Sequence, residues 1–439
     1  MNVNKKLIGL GMLLAVKGAF AQSTGSSVEI YGVFDIGVGH SQNALSDDGN
    51  YTLGMQTAAT KAGALAGTPV TGMFNGGLGG SYLGFKGSED LGGGLKAVFK
   101  MESAFNSFDG VLSNGVASVV NNPSGKQTTI NGDSSFAGQL FNREADVGLS
   151  STEWGTVLFG RTNSLGYEAL VAYDPLGGSY EFSPFGYSGS YGAGGFTEDY
   201  RLDDSVRYTF KADNGLNFGA LYKFGGQAGS TDAQSEYQFT AGYNSGAFGI
   251  QALYSSTHDA ISATNSSTGG NVNISVADNT AFILASSYQF NQLRLSGGYE
   301  QIDFNNPSNA ALDKNISTAL GYPVGTVNTN AFPNEKRLDI YFAGLKYDIT
   351  PAMSGTVAYY DIKQNDYTVG GCLSTTATPA STCSGDSKWL SFLGVYKLSK
   401  RTQIYAGWMH NALSGGFASG ITNTNTANNF FGTGFRHSF

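Results

Sequence analysis

The chain has 439 residues, 63 of them Gly and 9 Pro, with 13% aromatic and 13% charged residues, whereas soluble globular domains carry about twice that share of charge and about half that share of Gly. Glycines without a three-residue period exclude collagen, and 24 Tyr, 29 Phe and 3 Trp are far too many apolar rings for a solvated coil. With 33 acids against 25 bases, nucleic acid is not an expected partner.

At the N-terminus, Lys5-Lys6 precedes the apolar run Leu7 to Val16, which ends near Ala19-Phe20-Ala21. This order predicts a secretory signal peptide over 1–21, leaving 22–439 as one mature domain. That run is too short for a bilayer helix, which needs about 20 apolar residues, and no longer one follows it. Removing Lys5, Lys6 and Lys17 and no acid takes the 25 bases to 22 against 33 acids, a formal charge of −11.

From Val28 onward the chain alternates with period two. Val28, Ile30, Phe34 and Ile36 share one face, and Glu29, Tyr31 and Asp35 share the other. Leu95, Ala97, Phe99 and Met101 oppose Lys96, Lys100 and Glu102. Val206, Tyr208 and Phe210 oppose Ser205 and Arg207, and Leu293, Leu295 and Tyr299 oppose Arg294 and Glu300. The pattern predicts sixteen strands, near 27–38, 81–88, 94–105, 141–150, 155–161, 204–210, 216–224, 235–243, 247–257, 280–290, 293–302, 337–348, 352–363, 388–397, 402–410 and 429–439. Their connections alternate strictly between long and short, which puts all the short turns at one end. A soluble sheet of this size needs a second layer over its apolar face, and the chain has no segment to supply one. In lipid that face needs no cover, provided the sheet closes and leaves no unpaired edge. The expected fold is therefore all-β, a 16-stranded antiparallel transmembrane β-barrel with long extracellular loops and short periplasmic turns.

Catalytic and metal motifs are missing. His40, His258, His410 and His437 are scattered, no Ser sits in a GxSxG elbow, and Ser124-Gly125-Lys126 lacks the upstream glycine of a P-loop. Asp47-Asp48-Gly49-Asn50 lacks the spacing and the terminal Glu of a calcium loop. No enzyme activity, cofactor or metal is expected. Cys372 and Cys383, close together in an exported chain, are expected to form one local disulfide.

In such a barrel the polar face looks into a water-filled lumen. By parity Lys86, Lys96, Lys100, Arg143, Arg207, Lys223 and Arg294 point inward, with Glu29, Asp35, Glu102, Asp203, Glu236 and Glu300. The connection 162–203 is rich in Gly and acids; folded into the tube it would constrict it, and the alternative is an ordinary extracellular loop.

The segments Val28-Glu29-Ile30-Tyr31-Gly32-Val33-Phe34-Asp35, Leu83-Gly84-Phe85-Lys86-Gly87-Ser88-Glu89-Asp90-Leu91-Gly92-Gly93, Phe141-Asn142-Arg143, Gly160-Arg161 and Gly434-Phe435-Arg436-His437-Ser438-Phe439 carry a resemblance over the whole chain. It resembles a general diffusion porin of the Gram-negative outer membrane, of the β-proteobacterial type. The resemblance implies a homotrimer set in outer-membrane lipid and lipopolysaccharide, each barrel passing ions and small hydrophilic solutes and narrowed by an inward-folded third loop, here 162–203. Lys86 and Arg143 match the family's basic wall, which Lys96, Lys100 and Arg207 extend, and Glu168, Asp174 and Glu181 are the candidate acids of the loop. Phe439 with Phe435 resembles the signal read by the barrel assembly machinery. Two departures, Tyr82 where the family usually has arginine and Asp203 where a basic or amide residue is common, remove positive charge and imply a weak cation preference. Glu144 and Asp146 break the outward apolar pattern of the fourth strand and are expected at a trimer interface, with Arg161 as a partner across subunits. The competing readings are a barrel enzyme, which the scattered histidines oppose, and an adhesin or receptor acting through loops 39–80 and 303–336.

Overall fold

The computed structural model describes residues 26–43, 69–108, 110, 112, 140–187, 200–265, 271–319, 322–369, 382–416 and 426–439. The expected signal peptide and Cys372 lie outside these residues.

Nineteen strands join one sheet. In chain order they are β1 (Ser27–Ser41), β2 (Val70–Asn75), β3 (Ser81–Gly92), β4 (Leu95–Phe105), β5 (Glu144–Ser151), β6 (Gly155–Asn163), β7 (Arg201–Lys211), β8 (Leu216–Lys223), β9 (Glu236–Ser245), β10 (Phe248–Asn265), β11 (Val272–Phe290), β12 (Leu293–Asn305), β13 (Thr318–Ala319), β14 (Tyr322–Asn328), β15 (Lys336–Thr350), β16 (Met353–Gln364), β17 (Gly385–Lys397), β18 (Thr402–Gly415) and β19 (Ala427–Ser438). β1 pairs antiparallel with β19, from Val33↔Ser438 to Ser41↔Phe430, so the sheet closes and no edge is left open.

β2 and β3 both lie beside β1, β2 along Ile36–Ser41 and β3 along Ser27–Val33. They are two halves of one barrel strand, broken where Gly76 takes a φ of +84°. The tiny β13 and β14 belong to the loop after β12, where β14 runs parallel to the start of β11. The barrel wall is therefore sixteen-stranded, and every expected strand has its counterpart in it. The seven short turns lie at one end and the long connections at the other.

The expected polar lumen holds for only part of the circumference. Leu253, Ile283, Ile302, Leu338, Ile340, Phe342, Tyr360, Trp389, Tyr405, Met409 and Phe430 are buried on the inner side of β10 to β19, while Tyr254, Phe282, Tyr341, Tyr359, Phe392 and Phe431 are exposed on the outer side. Apolar side chains thus stand on both faces of this half of the wall, interspersed on the inner one with buried polar groups such as Ser255, Glu300, Ser391 and Asn411. The inner face is covered by the connection between β6 and β7, whose Leu165, Leu170, Tyr173, Leu176, Phe182 and Phe185 join the same buried cluster.

β10 and β11 run taller than the expected 247–257 and 280–290. Val272, Ile274 and Val276 pack there with Ile316, Val324 and Val327 in a second apolar cluster beside the loop after β12. Asp259, at a φ of +53°, ties two connections to the tall β10–β11 pair. It accepts from the backbone N of Gln234 and from both the backbone and side-chain N of Asn309, while its own N–H donates to Asp278.

Candidate functional site

The connection after β6 enters the lumen as a helix over Leu165–Tyr173. Its start is set by Ser164, whose hydroxyl accepts from the Tyr167 N–H as an N-cap. Four contacts fix its course. Arg207 on β7 bridges Glu168, Arg294 on β12 donates to the Ala172 carbonyl, Tyr360 on β16 donates to Asp174, and Ser391 on β17 donates to the Phe182 carbonyl. It then reaches the break between β2 and β3, where the Ser179 hydroxyl and the Glu181 N–H both donate to the Gly77 carbonyl. The break is held in turn by Asp35, which accepts from the N–H groups of Gly77 and Leu78 and from the Tyr405 hydroxyl.

The expected loop acids do not all face the lumen. Asp174 and Glu181 are each 5% exposed and point into the packing between loop and wall. Burial pushes both carboxyls above the usual range, most strongly at Glu181, where the Asp35 charge adds to the effect. Asp174 anchors the loop, accepting from the Tyr360 hydroxyl and the Gly178 N–H, and neither carboxyl forms an acidic rim. Glu168 does reach the lumen, where Arg207 neutralises it.

The polar half of the wall lies opposite. Glu29, Lys86, Lys100 and Asp146 form one cross-strand row over β1, β3, β4 and β5, and Tyr31, Gly84, Glu102 and Glu144 form the next. Lys100 Nζ sits 3.2 Å from Glu102 and 2.9 Å from Glu144. Arg143 Nε donates to Glu102 at 3.0 Å, and Tyr31 donates to its other oxygen at 2.6 Å. Lys86 bridges Glu29 at 3.3 Å and lies over the Tyr31 ring, while the Arg143 guanidinium lies 4.4 Å from the Tyr82 ring centroid. Lys96 shares this inward parity nearer the short-turn end.

Three expectations about this patch are corrected. Glu144 and Asp146 do not face outward: β5 begins at Glu144, after a bend at 141–143, so parity restarts there and Val147, 57% exposed, takes the outer face. The same bend turns Arg143 inward despite its odd number. Arg161 does share the outer face with Phe159, but its partners are in its own chain, Asp203 at 2.7 Å and the Asn142 carbonyl. Asp203 was expected inward; a register shift between Gly160 and Thr162, with Asp204 at a φ of +50°, brings it beside Arg161.

Sequence reasoning missed Tyr31, Tyr360 and Tyr405 as anchors, since a tyrosine at strand parity gives no sign of which carboxylate it will meet. It also missed Arg201, which is 3% exposed and lies 5.6 Å from the Tyr167 ring centroid. Cys383 is disulfide-bonded. Among the described residues no group of three or more His, Cys, Asp or Glu is placed to hold a metal ion.

A sequence model described as Gram-negative porin matches residues 10–416. An outer membrane porin protein of Bordetella pertussis is 27% identical over the full length of both chains. Outer membrane porin protein 32 of Delftia acidovorans is 28% identical over 74% of this chain and 77% of its own length. Among solved structures, the anion-selective porin from Comamonas acidovorans matches with a TM-score of 0.64 at 20% identity, covering 94% of this chain and all of its own. OmpT of Vibrio cholerae in its trimer form matches with a TM-score of 0.57 at 14% identity, again covering 94% of this chain and all of its own.

Proposed function

The chain belongs to the Gram-negative porin family, an outer-membrane channel for passive diffusion and not an enzyme, and from that premise we propose where and how this channel selects. Ions and small hydrophilic solutes cross between the loop after β6 and the ion-paired wall of β1 to β7. The observation that carries this reading is the docking of the loop on the apolar half of the inner wall, which leaves the charged half to water.

Lys86, Lys100, Arg143 and Arg207 are each matched by carboxylates within 3.3 Å, so these four bases draw anions into the narrow zone only weakly. Selectivity is therefore weak, and its sign follows the acid excess of the chain toward cations. Reversal potentials of the purified protein in planar bilayers under a KCl gradient test this, and an anion-dominated current would overturn it. Liposome swelling with sugars of graded size reads the width of the passage.

The protein assembles as a homotrimer, as the name of the Vibrio structure says of that protein. The Arg161–Asp203 pair supports a subunit contact on its side of the barrel, because an ion pair on the outer face is poorly placed against hydrocarbon. Residues 1–21 act as the export signal. Phe435 and Phe439, both exposed on the outer face, present the signal to the barrel assembly machinery, and lipid and lipopolysaccharide surround the rest of the wall.

A further inference from the structure

Under the loop helix Leu165–Tyr173, toward the short-turn end, lies a recess of about 570 Å³, within the range of roughly 300–1,000 Å³ typical of small-molecule sites. Its wall is a grid of neutral polar side chains. Thr156 and Thr209 pair across β6 and β7, and the row continues through Gly219 on β8 to Thr240 on β9. Nearer the turns, Asn217, Gly242 and Gln251 form a second row over β8, β9 and β10.

Gly242 leaves a gap in that second row, and the two amides converge on it. A Cβ there would lie 2.5 Å from Gln251 Oε1 and 2.8 Å from Asn217 Oδ1. The Asn217 Nδ2 group is buried and has no hydrogen-bond partner. A buried donor left unmatched is costly, and turning the Asn217 amide into the recess to meet a ligand oxygen would relieve it. On the opposite side, Leu165, Ala169 and Ala172 of the helix offer a small apolar face.

Charge contributes little here. Glu168 lines the recess but is bridged by Arg207, and Lys211 ends β7 exposed to water. Hydroxyls and amides, which both donate and accept, set against a short aliphatic face match a sugar ring, with its hydroxyl edge and its C–H face. We propose that this recess is a binding subsite for a neutral polyhydroxylated solute of monosaccharide size, held at the periplasmic mouth of the channel. The inference rests on the channel reading above and deepens it, turning simple diffusion of one solute class into saturable passage.

The test uses the purified full chain in planar bilayers, with D-glucose or gluconate added on the short-turn side during a steady KCl current. Glucose is expected to reduce the current to a plateau. Asn217→Ala removes one donor and Gly242→Leu fills the gap between the amides. Each should weaken the block roughly tenfold, the effect of losing one well-made hydrogen bond, while the KCl conductance is retained. Asn217→Ala is the milder change should Gly242→Leu not fold. A block that only tracks viscosity, a tighter block by gluconate than by glucose, or an unaltered block in Asn217→Ala would each overturn the subsite. No KCl current in the unaltered protein would instead overturn the channel reading itself.

Discussion

Glu102 on the lumen wall takes Tyr31, Lys100 and Arg143 at once. Replacing it with glutamine removes one negative charge from beside Arg143 and Lys100, while Lys100 keeps Glu144. A unit charge at 4 Å in water is worth about 1 kcal/mol, or about a fivefold change in local ion concentration. Glu102→Gln is therefore expected to move the reversal potential toward anions, and Glu102→Gln with Glu144→Gln to move it further; a shift toward cations would contradict the neutralised-wall account. Outside the barrel wall, burial and the neighbouring Asp259 and Asp278 push the Asp313 carboxyl up to about 7. An unfolded Asp releases its proton near 4, so between about 4 and about 7 the folded loop holds a proton that the unfolded one does not. Its docking weakens as pH rises through that window and levels off above it. Hydrogen exchange at Ala310–Asn315, corrected for intrinsic rates, should be faster at about pH 8 than at about pH 5.5, and Asp313→Asn should flatten the difference. The sequence identified the bases Lys86, Lys100 and Arg207 by simple alternation. It misplaced Glu144, Asp146 and Asp203 because a bend and a bulge each reset the parity, and neither leaves a mark that alternation can read.

Among the elements, the strands were the most legible, because one lipid-facing side forces every second residue to be apolar. What alternation hid was the inner face of β10 to β19. Leu338, Ile340 and Phe342 face inward opposite outward Tyr341, so the middle of β15, Ile340 to Leu345, reads as an unbroken apolar run whose two sides cannot be told apart. Only the partner explains it: Phe185 of the loop meets Phe342 at 4.9 Å and Tyr360 at 5.7 Å between ring centroids. Truncating a buried Phe to Ala costs about 3–5 kcal/mol, and here the cost falls on the docking of the loop. Phe185→Ala is expected to give larger and noisier single-channel currents with the barrel intact by circular dichroism. Tyr360→Phe acts from the other side, since it removes the hydroxyl that donates to Asp174 of the loop. If both variants kept the conductance and noise of the unaltered protein, the loop would not be the narrowest part of the passage.

For the whole molecule, closure depends on the two chain ends. Gly32 and Phe439 exchange backbone hydrogen bonds of 3.2 and 3.1 Å, and the Ser438 N–H donates to the Arg401 carbonyl at 2.8 Å. Deleting Phe439 removes the terminal pair together with an exposed ring beside Gly32. The expected outcome is slow or incomplete folding, seen as loss of the compact, fast-migrating band on unheated gels, and a normal yield of that band would show the pair to be dispensable.

The connection after β6 leaves the wall at Asn163 and is bonded to β16, β17 and the break beside β1 before it returns at Arg201. In mechanical terms it is a strut across a ring. A wall one sheet thick bends easily, and the softest deformation of such a tube is flattening into an oval. A chord fixed at several points around the circumference opposes that mode, because flattening must stretch the strut or tear its anchors. The segment that sets the aperture thus also keeps the cross-section round under lateral pressure from the membrane, so that weakening its anchors softens the whole tube as well as widening the passage.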